Sequence, residues 1–319
     1  MRITAPPSGP LLGDWHRPLL ALALLMAGAA VASAVGLLVD QRELVGAAAW
    51  AKPLKFALSI GVYSVTLAWL IGQLRRWRRV AWWAGTLTAI VLAIEMVIII
   101  GAVLANTTSH FNVSTPFNIA LWSVMAGSVV AAWVASMAVA MLLFRTDLGS
   151  PARSIAIRAG VALSLVGMAL AFQMAKPTSE QLRNPSGVEG AHAVGTSDAG
   201  PGLFLLGWST IGGDLRVPHF VGMHAVQVLP LVALLLAIAA RKIPLLRDPA
   251  TQTRLVATTA ALYFGALVVL EVQATIGQSV ITPSIPIAVA ATALFGGATL
   301  ATALILRAAR KKAHSPTAP

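Results

Sequence analysis

The fold class predicted for this chain is all-α: a polytopic integral membrane protein, a bundle of about eight transmembrane helices. Three observations predict it. Eight apolar runs of bilayer-spanning length follow one another along the 319 residues. Only 11% of the residues are charged and 57% are hydrophobic, whereas a soluble domain carries about 25% charged residues. The basic residues gather in short clusters between the apolar runs, and alternate clusters are the heavier ones, as membrane orientation requires. The net charge of +12 therefore reads as orientation in a lipid bilayer, and no nucleic-acid partner is expected. Cysteine is absent, which excludes disulfides, thiolate metal sites, iron–sulfur clusters and covalent c-type haem.

A helix needs about 20 apolar residues to cross the hydrocarbon. A cytoplasmic segment, 1–17, precedes the first span at 18–39. Ala32-Ser33-Ala34 resembles a signal-peptide cleavage site, but the apolar run continues to Val39 and the leading segment is only lightly basic, so a span is the stronger reading. The second span, 53–74, opens on Pro53 and stops at Arg75-Arg76. The third covers 80–104, the fourth 117–144 and the fifth 155–175. A long connection, 176–217, rich in Gly, Pro, Ser and Asp, then leads to the sixth span, 218–240. Its stretch Gly202-Leu203-Phe204-Leu205-Leu206-Gly207-Trp208 is too apolar for a solvated tail. It reads either as a lid or as a loop resting on the membrane surface. The seventh span is 255–277 and the eighth 283–306, both within the single transmembrane domain, 18–306. Residues 307–319 form a basic cytoplasmic tail, expected to be disordered.

With the N-terminus inside, the inner segments hold 17 Lys and Arg residues and the outer ones 6. Both termini are thus placed in the cytoplasm. Trp77, Trp82 and Trp83 suit the inner interface and Trp50 the outer one. Arg outnumbers Lys 17 to 6 and Ala is abundant, which points to a high-GC bacterium and its cytoplasmic (inner) membrane. In that setting Asn106-Thr107-Thr108 and Asn112-Val113-Ser114 match the glycosylation pattern by chance.

Spacing suggests an internal repeat, 18–145 and 155–307. Arg79 to Glu95 is 16 residues and Arg254 to Glu271 is 17; Pro53 to Arg75 is 22 and Pro218 to Arg241 is 23. Four spans per copy make the copies parallel, with Glu95 and Glu271 equivalent and at one depth. The fourth and eighth spans do not align.

Ionisable residues inside apolar segments are the candidates for chemistry, because a charge in hydrocarbon costs roughly 2.5–3.5 kcal/mol. Lys52, Lys55, Ser59, Tyr63 and Thr66 form one polar stripe on the second span. Glu95 lies roughly 24 Å above the inner arginines at 1.5 Å per residue. Glu271 shares a stripe with Thr275 and Gln278, and His224 one with Gln227. Gln173 and Lys176 end the fifth span, and Pro230 loosens the sixth. Lys55, Tyr63, Glu95, His224, Gln227 and Glu271 are expected to converge on one outward-open cavity, with Lys52 and Gln173 completing a ligand- or proton-binding set. The plainer alternative is that each buried acid serves only helix packing.

His110, His219 and His224 are candidate metal ligands, for a divalent metal or haem b. The spacing is poor: His219 and His224 are five apart and do not share a helix face. There is no phosphate-binding glycine loop, no G-x-S-x-G and no H-E-x-x-H. Ser109-His110-Phe111-Asn112 and Gly213 to Phe220 stand out without suggesting an activity. Three function classes follow. One binds or transports an unidentified small molecule or ion with proton coupling. One is an outward-facing membrane oxidoreductase or metal- or haem-dependent enzyme. The third is a non-catalytic membrane subunit.

Overall fold

A computed structural model describes residues 10–44 and 46–314 of the chain. Nine α-helices occur among them: α1 Arg17–Val39, α2 Ala51–Gly72, α3 Arg78–Leu104, α4 Pro116–Phe144, α5 Pro151–Leu170, α6 Ser179–Arg183, α7 Arg216–Ala239, α8 Pro249–Thr275 and α9 Ile285–His314. All but the short α6 are long and apolar enough to cross a membrane. The sixth, seventh and eighth predicted spans are thus α7, α8 and α9.

Capping chemistry sets several helix starts. Thr115, Ser150 and Asp248 each accept a hydrogen bond from the backbone N–H three residues on, and each precedes a proline at the first helical position. These caps start α5 and α8 four and six residues earlier than the apolar runs suggest. At the other terminus α9 runs on through His314, so residues 307–314 of the expected disordered tail are helical. Residues 315–319 lie outside the described residues, as do 1–9. Between α2 and α3, Trp77 adopts a left-handed conformation with φ 60°, which turns the chain within a few residues.

The helices pair within two groups. In the first, α1 packs on α2 and α3, α2 on α3, and α3 on α4. In the second, α5 packs on α7 and α8, α7 on α8, and α8 on α9. Across the middle, α4 meets α5. One buried core joins Leu19 and Met26 of α1 to Leu67 and Leu70 of α2, and reaches Ile157 and Val226 of the second group. A second core lies among α5, α7 and α8. Here backbones touch: a Cβ on Gly167 would sit 2.4 Å from the Gly222 carbonyl carbon. Small residues permit such close approach where apolar burial between helices has no driving force.

All the long interhelical connections gather at one end, called here the cap end. A β-hairpin joins α1 to α2, with β1 (Glu43–Leu44) antiparallel to β2 (Ala47–Ala48). The 176–217 segment is an ordered cap. Within it β3 (Ala193–Val194) pairs with β4 (Gly213–Asp214), and single bridges join Asn112 to Val188 and Gly202 to Ser209. Side chains staple it. The Gln181 amide exchanges hydrogen bonds with Gly190, and the Ser279 hydroxyl donates to the Ser209 carbonyl at 3.0 Å.

Candidate functional site

The cap-end turns of α2 and α3 build the most polar buried cluster. Glu95, on α3, is 2% exposed. Its Oε1 lies 3.6 Å from His110 Nε2, and its Oε2 is buried without a hydrogen-bond partner. Nine residues separate Glu95 from the cap end of α3, about 14 Å along the axis. From the first turn of α2, Lys52 acts electrostatically on Glu95, His110 and His192.

His110 reaches this position because the 105–115 connection folds around Asn112. The Asn112 amide donates to Thr107 and to the Thr108 carbonyl, and its oxygen accepts from Ser114. Phe111 takes a left-handed φ of 62°, which reverses the chain beside the imidazole. The ring packs against Phe56 and Trp122 and shares a hydrogen bond with Ser109. Burial pushes the His110 pKa well below its ordinary value, and the nearby Lys52 charge adds to this. The imidazole is therefore neutral near pH 7, and its contact with Glu95 is not a pair of full charges.

The cap closes over this cluster through two cations. Lys55 Nζ donates to the Leu206 carbonyl at 2.9 Å. Arg216 donates to the Gly207 carbonyl at 2.6 Å and makes a two-pronged pair with buried Asp214. Asp214 also accepts from the Ser209 and Arg216 backbone N–H groups. His192 is anchored by Asp198, ring nitrogen to carboxylate, at 2.8 Å. Burial lowers the His192 pKa more than Asp198 raises it. Burial also opposes ionisation of Asp198, yet hydrogen bonds from His192 and Ala193 hold that carboxyl at about 2.

The remaining predicted residues fall into two other groups. Glu271 accepts from Gln173 Nε2 at 2.7 Å, and its second oxygen, also buried, has no partner. It sits four residues from the cap end of α8, about 6 Å. Glu95 is thus farther from the end of its own helix than Glu271 is from its own. Nearer the middle of the bundle, His224 contacts the Gln227 amide, which donates to Thr66 at 3.3 Å. The Tyr63 hydroxyl meets Ser136 of α4. A pocket between these helices, lined by Tyr63, Thr66, Ser136 and Ser164, has an accessible volume of about 20 Å³. That is room for about one water.

The single cavity expected from the sequence is thus resolved into three clusters, and among the described residues no hydrogen bond or ion pair joins them. The physical reason is that the side chains are met locally: Glu95 by His110 of the adjoining connection, Lys55 by the cap, His224 by Gln227 one turn on and Glu271 by Gln173 of α5's end. The three histidines expected as a metal set have separate partners. His219 shares a hydrogen bond with the Gly167 carbonyl at 2.7 Å, His224 turns to Gln227 and His110 to Ser109 and Glu95. Among the described residues no group of three or more His, Asp or Glu is placed to hold a metal ion. The sequence reading passed over Arg216–Asp214 and His192–Asp198. The Gly213-to-Phe220 segment signalled the first; the second had only its six-residue spacing. Comparisons with protein families, curated proteins and solved structures return no match. The eight apolar helices indicate an integral, multi-pass membrane protein.

Proposed function

We propose that this is a binding or transport protein of a bacterial cytoplasmic membrane, with a site opening to the outer face, where Glu95 exchanges protons as a small molecule or ion binds. In this reading both termini are cytoplasmic and the cap end faces outward, as the 17-to-6 distribution of basic residues favours. The observation that carries it is the Glu95 carboxyl: fully enclosed, with a neutral imidazole at one oxygen, nothing at the other and an ammonium nearby. Glu271 also has one unmet oxygen, but its other oxygen is tied to the Gln173 amide; what sets Glu95 apart is neighbours that can change charge, His110 and Lys52.

The matched helix pairing of the two groups and their similar helix lengths favour two parallel four-helix copies. Transport sites form between such repeats. Infrared difference spectroscopy between acidic and alkaline pH tests the proton role. A protonated-carboxyl band should vanish in Glu95→Gln and persist in Glu271→Gln. A spectrum unchanged by Glu95→Gln overturns the proposal.

A further inference from the structure

The four helices meeting along the seam between the two groups are α2, α4, α5 and α7. They carry five Lys and Arg residues and two His, but no Asp or Glu. Hydrogen-bond donors mark the whole length of the seam. Lys55 and Arg216 stand at the cap end, His224, Gln227, Thr66 and Tyr63 near the middle, and Arg153 at the opposite end. There Arg153 donates to Gln73 at 2.6 Å. The hydroxyl, amide and imidazole groups can accept as well as donate, but every formal charge on these four helices is positive, which suits an anion better than a cation.

Charge in the immediate surroundings of Lys52 and Lys55 is also unbalanced: the other charged groups acting on them are Glu95, Arg216 and Asp214. Asp214 is consumed by Arg216 and two backbone N–H groups. What remains is two ammonium groups, Lys52 and Lys55, against the single carboxyl of Glu95. Among the described residues Lys52 has no hydrogen-bond partner, and Lys55 has only the neutral carbonyl of Leu206. The two cations flanking Gly207 converge on one spot: a Cβ there would lie 3.7 Å from Lys55 Nζ and 3.8 Å from Arg216 Nη1. The positive N-terminal ends of α2 and α7 lie at the same place, because both helices start at the cap end.

We infer that the ligand is a small inorganic anion, that it binds between Lys52, Lys55 and Arg216 by displacing the Leu206 and Gly207 carbonyls, and that it binds together with a proton on Glu95. This rests on the reading of Glu95 as the proton site. An anion in place of those carbonyls replaces neutral acceptors with a charged one and shortens and strengthens each bond. The groups facing Glu95 are Lys52 from α2 and neutral His110 from the 105–115 connection. Helix α4 has no titratable residue, and α1 has only Arg17, at the opposite end of the bundle. Protonating Glu95 therefore raises the charge beside the anion by one unit. By linkage, the anion favours the proton as much as the proton favours the anion.

The test uses the purified full-length protein titrated with chloride, nitrate and sulfate, none of which changes protonation here, at constant ionic strength set with gluconate. Thermal midpoint and the fluorescence of Trp208, in the cap against Phe220, are followed. At least one anion should give a saturable response that is indifferent to exchanging sodium for choline. Its apparent affinity should tighten about tenfold per unit fall in pH while Glu95 takes up its proton. Glu95→Gln should remove that pH dependence, and Lys55→Met should weaken binding at least tenfold. Lys55→Gln, which keeps a donor toward Leu206 without the charge, serves if Lys55→Met fails to fold. A response that is absent, depends on the cation, or survives both Lys55 variants overturns the inference. If the Glu95 carboxyl band described above is nonetheless present, only the anion is rejected; if the band is missing as well, the proton reading falls with it.

Discussion

Each half of the molecule carries one acid within its long apolar helices, Glu95 in α3 and Glu271 in α8, and the two are kept differently. Glu95 lies among charged and titratable neighbours, Lys52 and His110. Glu271 is held by a primary amide, Gln173. Helix packing differs in the same way. In the second half α5 and α7 touch backbone to backbone at Gly167 and Gly222, whereas in the first half a Cβ on Gly61 of α2 would make an ordinary 3.5 Å contact with Met26 of α1. The tightest backbone approach between helices named here is thus in the second half, and the acid with charged and titratable neighbours is in the first. A carboxyl whose neighbours can change charge responds to protons and ligands; one tied to an amide mainly holds two helices together.

The largest effect should come from packing. Gly167→Val must force α5 and α7 apart and should destabilise by about 3 kcal/mol, whereas Gly61→Ala should stay within about 0.5 kcal/mol of the parent. Thermal unfolding in detergent compares them, and equal losses would erase the contrast between the halves. Next, Lys52→Met removes the cation beside Glu95 and should cost about 2 kcal/mol, less than a fully buried pair would lose because Glu95 can neutralise itself. The matching change in the second half, Gln173→Leu, should cost about 1 kcal/mol for one lost hydrogen bond. If Gln173→Leu proves the costlier, Glu271 and not Glu95 is the strained acid.

The smallest effect is a pH dependence of the first half. The His110 pKa is depressed in the folded state from 6.5. The unfolded chain therefore takes up a proton that the folded one refuses, and stability falls as pH drops below that value. Between pH 7 and pH 6 the loss should be about 0.7 kcal/mol from this residue. His192, shifted the same way, adds to it, while Asp198, held at about 2, contributes only in stronger acid. His110→Gln should flatten the slope of midpoint against pH; an unchanged slope would remove His110 from the account.

Much of this was legible in the residues themselves. The apolar runs located eight helices, and Thr115-Pro116, Ser150-Pro151 and Asp248-Pro249 carried the capping signals that set α4, α5 and α8. Apolar runs alone placed α5 and α8 late, because both helices begin in polar residues ahead of their apolar stretches. Polar stripes marked Lys52, Lys55 and Glu95 as candidates. They could not show that Lys55 would hold a peptide carbonyl 151 residues away, or that His110 would turn back onto its own helix.

By itself, then, the sequence determined which segments are helices long and apolar enough for a bilayer, and which side chains are too costly to bury idly. Those are local properties, summed residue by residue along one segment. The tertiary structure decided the partners: Glu95 with His110 and Lys52, Glu271 with Gln173, and the cap fastened over the first. Partnership depends on the rotation of each helix about its axis and on how the connections fold. Both are set by contacts between residues far apart in the chain, such as Gly167 against Gly222 and Ser279 against Ser209, which no single segment encodes.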